Sequence, residues 1–131
     1  MNRENICSED EIRQLVHAFY ARVRADEVLG PVFDAHVANW GPHLDRMVDF
    51  WSGILRGTSR FRGTPMPKHI ALPGLDAALF NRWLALFHET TAELGNAVMR
   101  EYAEGAAKRI AQSLWYGYQL YRAPDAEPAP L

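Results

Sequence analysis

Apolar side chains recur at three- and four-residue steps through four separate segments of this chain, and nowhere do they alternate with period two. That pattern commits the chain to helices laid against one another, because a one-sided apolar stripe must be covered by a neighbour. Ser8-Glu9-Asp10-Glu11 reads as a capping box, and Ile12, Leu15, Val16, Phe19 and Val23 follow as the inward face of a first helix ending near Asp26 to Gly30. Val32 and Phe33, after Pro31, are expected in a short turn-rich link. Gly41-Pro42 places a proline where a helix can begin without losing a needed donor. The second helix then runs to about Gly57, with His43, Leu44, Met47, Val48, Trp51, Ile54 and Leu55 as its stripe and Phe50 at the margin.

Asp76 is placed to cap a third helix through about Glu93, with Leu79, Phe80, Trp83, Leu84 and Phe87 inward and Leu75 stapled against Phe80. Gly95 ends it. The last helix is predicted from Asn96 to about Tyr121, with Val98, Met99, Tyr102, Ala106, Ile110, Ser113 and Leu114 on one face. The expected fold is therefore all-α, four long helices paired two against two. Residues 1–122 form one domain, and the proline-rich stretch 123–131 is expected to be a disordered tail.

Fourteen basic against sixteen acidic side chains, with no run of Lys or Arg, leave no electrostatic footprint for nucleic acid or anionic lipid. The only cysteine, Cys7, excludes an intrachain disulfide, a cysteine-rich zinc site and an iron–sulfur cluster. No apolar run resembles a signal peptide or a membrane span, so the cytoplasm is the expected compartment.

Three glycines and three prolines fall between Gly57 and Gly74 (Gly57, Gly63, Gly74; Pro65, Pro67, Pro73), which predicts a loop with at most one helical turn around Lys68 to Ala71. Loops this long inside a small domain usually carry function. Within it stands His69, in a segment where prolines forbid a long helix yet Met66, Ile70 and Leu72 hold the imidazole still. A fixed, neutral imidazole is suited to bind a metal. The five histidines include no i, i+4 pair and no His-Glu-x-x-His, so a zinc hydrolase has little support. His17, His36 and His88 flank polar positions and read as exposed.

Tyr20, His43 and Trp83 stand on three different helices whose apolar faces must meet, and a buried phenol or indole needs a partner for its polar atom. Spacing alone leaves two readings open. All three are core residues of a cofactor-free helical interaction module, or their donors converge on one apolar slot opposite a coordinating imidazole. The second arrangement suits a haem with a gas bound to it, and without a Cys-x-x-Cys-His motif that haem is held non-covalently.

The order and spacing of five pieces resemble the group III truncated haemoglobins, small globins of two-on-two helical type. They are Ala18-Phe19-Tyr20-Ala21-Arg22-Val23-Arg24-Ala25-Asp26, Leu29-Gly30-Pro31-Val32-Phe33, Trp40-Gly41-Pro42-His43 leading to Phe50-Trp51, Lys68-His69 with Leu72-Pro73, and Phe80-Asn81-Arg82-Trp83-Leu84-Ala85-Leu86-Phe87. The resemblance implies a truncated globin-like sandwich binding haem b (iron protoporphyrin IX), with His69 as proximal iron ligand and Tyr20, His43 and Trp83 on the distal side. It implies that Phe33 packs on the porphyrin and that Arg46 reaches a propionate, and Phe19, Met47 and Phe50 are expected to line the same slot. Phe61 stands where relatives often carry a tyrosine. The small ligands expected are O2, NO, CO or peroxide, with an electron-donor reductase as partner. Tight holding of oxygen points to redox chemistry such as nitric oxide detoxification, with a peroxidase-like enzyme or a gas sensor as alternatives.

Overall fold

A computed structural model describes residues 6–61 and 74–131, and among them the chain forms five helices and no strand. α1 (Glu9–Ala25) begins with the capping box read from the sequence: the Glu11 amide donates to Ser8 Oγ at 3.1 Å and the Ser8 amide to Glu11 Oε1 at 2.9 Å. Its buried face is Ile12, Leu15, Val16, Phe19, Tyr20 and Val23. α2 (Leu29–His36) occupies the segment expected as a link. The helix forms because Asp26 accepts hydrogen bonds from the Val28 and Leu29 amides (3.1 and 2.9 Å), and because Pro31 falls in the first turn, where no intrahelical donor is missed. Gly30 is required there, since a Cβ would lie 2.7 Å from the Arg24 carbonyl oxygen.

α3 (Trp40–Arg56) buries Val48, Trp51, Ser52 and Leu55, leaves His43, Leu44, Met47, Phe50 and Ile54 half-buried, and stops at Gly57 in a left-handed conformation (φ 77°). α4 (Ala77–Glu93) is capped by Asp76, which accepts from the Leu79 amide at 2.9 Å, and Leu75 packs with Phe80 as the staple requires.

α5 (Ala97–Arg122) departs from the expected face. Val98 and Tyr102 are 41% and 47% exposed and Ser113 is exposed, while Met99, Ala103, Ala106, Ala107, Ala111, Leu114 and Tyr118 are buried. The alanines are the reason: a row of small side chains at helical spacing lets α5 lie close on α4, and the bulkier Val98 and Tyr102 turn outward. The stretch expected as a disordered tail lies back along α5. The Gln119 side-chain amide pairs with the backbone N–H and carbonyl of Ala129 (both 2.8 Å), and Leu131 packs beside Phe80 and Trp115.

α1 packs on α3 in one pair and α4 on α5 in the other, with α1 also against α4 and α3 against α5. α3 and α4 nowhere approach within 8 Å, Cα to Cα. Trp51 of α3 reaches across that gap to stack on Phe87 of α4 at 5.1 Å, and Phe87 stacks on Trp83 of its own helix at 5.6 Å. No helix among the described residues is long and apolar enough to cross a membrane.

Candidate functional site

Tyr20 stands where α1, α2 and α3 meet, at one end of the space between α3 and α4. Its ring meets Phe19 (5.0 Å), Phe33 (6.0 Å), Trp40 (5.8 Å) and His43 (5.4 Å), so three helices supply its surroundings. Burial pushes the Tyr20 hydroxyl well above its usual range, which keeps the proton on the oxygen and makes it a donor. A phenol so placed is costly unless something accepts from it.

His43 shares this inward face, its ring edge-on to Tyr20 and to Trp40 and its Nε2 closed off from solvent. Trp83 joins through Phe19, whose ring lies 5.2 Å from the indole and perpendicular to it. Trp83 is half-buried, stacked on Phe87 at 5.6 Å. Phe33 lies against Tyr20 and Trp40, and Met47 and Phe50 are half-buried along α3, with Phe50 5.1 Å from Phe61. Phe61 supplies an apolar edge there. Arg46 is exposed on α3, one turn after His43. His69, the expected iron ligand, lies outside the described residues together with the rest of its proline-bracketed segment.

Trp40 is the residue that reading the sequence for site residues missed. It opens α3 three positions before His43, so helical geometry puts both on one face, and that spacing was the available signal. Its indole N–H donates to Asp34 Oδ1 at 3.2 Å and the Arg24 guanidinium sits 4.6 Å above its ring.

Behind the site, α4 is pinned to the α1–α2 corner. Arg82, next to Trp83, donates to Asp26 through Nε (2.7 Å) and Nη2 (2.7 Å). The hydrogen bond from Arg82, with those from the Leu29 and Val28 amides, holds the Asp26 carboxyl at about 2 against desolvation that acts the other way. At the far end of α3, Glu9 accepts from Ser52 (2.7 Å), Arg56 (3.0 Å) and Arg60 (2.9 Å), which fixes the start of the stretch leading toward His69.

These residues fit a flat apolar group carrying a polar ligand at its centre. Two helices stand apart, their facing sides are aromatic and aliphatic, and a buried phenol and a half-buried indole carry protons to donate. A model of the bacterial-like globin family matches residues 3–114. A group 3 truncated haemoglobin of Campylobacter jejuni is 32% identical over 118 residues, covering 85% of this chain and 93% of that protein. The crystal structure of a group III truncated haemoglobin from Campylobacter jejuni is similar with a TM-score of 0.80 at 28% identity, over 94% of this chain and 98% of that one. The chain belongs to the bacterial-like globins, a haem-binding family, and within it to the group III truncated haemoglobins.

Proposed function

We propose that this protein binds haem b non-covalently through His69 and holds a diatomic ligand firmly enough for redox chemistry rather than transport. The observation that carries the reading is Tyr20, a buried phenol that burial keeps protonated, set against Phe33, Trp40 and His43. Haem iron supplies a coordination position for O2, NO or CO and one-electron chemistry at it. Phe19, Phe33, Met47 and Phe50 exclude water from that position, and Arg46 is assigned to a propionate. With haem bound, the Tyr20 hydroxyl and the Trp83 indole N–H would be the donors available to a ligand on the iron. At about 1.5–3 kcal/mol each, the two together hold it by about 3–6 kcal/mol, which slows release by about two to four decades.

A carrier must give its oxygen up, whereas a ligand held this firmly is placed to react. Nitric oxide and dioxygen combine to nitrate with one electron, which a separate reductase would supply. His43 supports a second reading. Its enclosed Nε2 beside Tyr20 suits a proton carrier across peroxide, so His43→Leu would then abolish peroxide turnover while leaving haem in place.

Absorption spectra of the ferric, ferrous and CO-bound protein test haem binding through the Soret band. Stopped-flow measurement tests the donors: oxygen release is expected to be slow, and Tyr20→Phe is expected to speed it roughly 10- to 100-fold. A fast release that Tyr20→Phe leaves unchanged would falsify the tight-slot reading.

A further inference from the structure

His43 is held between two aromatic rings. It stands perpendicular to Tyr20 (85°) and to Trp40 (88°), 5.4 Å from each. Movement of the imidazole toward either side displaces one of these two rings. Tyr20 cannot readily yield, being 6% exposed and packed on Phe19 in the core. Trp40 is half-buried in the first turn of α3, and it is the wall able to move.

Trp40 is also fastened from outside in a way that core packing does not require. Phe33 lies nearly parallel to it at 6.4 Å (28°), Arg24 of α1 sits over its face, and Asp34 of α2 accepts its indole N–H. Arg24 and Asp34 are both exposed, and contacts of this kind at exposed positions are weak singly. Together they tie three helices at the mouth of the slot through one side chain.

We propose that Trp40 is a positioning residue that keeps His43 closed over the slot, with Arg24 and Asp34 as an outer clasp whose release lets the imidazole swing and the ligand pass. The inference rests on the haem reading above. It assigns the gate to a residue that touches neither iron nor ligand, so its effect must run through His43.

The test uses the haem-loaded protein, with infrared spectra of the ferrous CO form and stopped-flow oxygen release. The CO stretch reports the polarity around the ligand and is independent of turnover. Wild type is expected to show a dominant closed band. Trp40→Leu should populate the band seen in His43→Leu and speed release roughly tenfold, and adding Trp40→Leu to His43→Leu should change neither band nor rate further. Trp40→Phe, which keeps a ring but loses the N–H, and Asp34→Ala, at an exposed site, should shift the same bands by a smaller amount; they decide the matter if Trp40→Leu does not hold haem. Unchanged bands in Trp40→Phe and Asp34→Ala, or additive effects of Trp40→Leu and His43→Leu, overturn the gate. Loss of the haem reading looks different, because then wild type shows no Soret band.

Discussion

Burial pushes the Tyr20 hydroxyl and the Cys7 thiol in the same direction, with different consequences. The phenol keeps its proton and faces the slot, so it is available to donate. The thiol is pushed up to about 11, by burial first and then by the Glu11 charge, and stays neutral and inert beneath the start of α1. His69 carries the sharpest expectation at this scale. His69→Gly is expected to abolish the five-coordinate ferrous spectrum, and added free imidazole should restore it by occupying the space left; an unaltered spectrum would remove the proposed ligation. The inward placement of Tyr20, His43 and Trp83 was legible in the sequence because each stands on an apolar stripe at helical spacing. Trp40 was less so, because a tryptophan beside Gly41-Pro42 reads first as helix-start punctuation, and the role proposed for it depends on Arg24 and Asp34, which only the folded corner brings to it.

α2 is the element whose formation spacing hid. Eight residues give too few turns for a stripe, and Gly30-Pro31 looks like a break, yet the Asp26 carboxylate supplies the missing cap and Gly30 allows the close approach to α1. Asp26→Asn keeps a cap acceptor and is therefore expected to lower the urea midpoint through loss of the charged Arg82 pair, whereas Asp26→Ala should cost about 1 kcal/mol more through the cap. The sign with pH follows from the depressed carboxyl. Its contribution is fully present above the unfolded value near 4 and is lost as pH falls through about 2. Wild type should lose stability across that window faster than Asp26→Asn does, and parallel curves would count against the pairing. The inward face of α5 was misjudged for a related reason: hydrophobicity favoured Val98 and Tyr102, whereas close helix packing favours the alanines.

For the molecule as a whole, four strong stripes and the absence of a period-two pattern were enough to fix a two-on-two arrangement of helices. They could not show that α3 and α4 stay apart, since separation leaves no mark on either stripe. That separation predicts unequal order. In the haem-free protein the backbone amides of α3 near His43 and Met47 should exchange with solvent faster than those of α1, because α3 has no helix across the slot; loading haem should slow them at least tenfold while leaving the middle of α1 nearly unchanged. Equal protection of both helices in each state would contradict it. The ring ladder across the gap has an optical consequence. Trp51 and Trp83, each stacked on Phe87, together with Trp40 beside His43, would put three of the chain's four indoles near any porphyrin seated there. Energy transfer would darken their emission, so ultraviolet fluorescence can meter cofactor loading from the protein's own side chains, with no label attached.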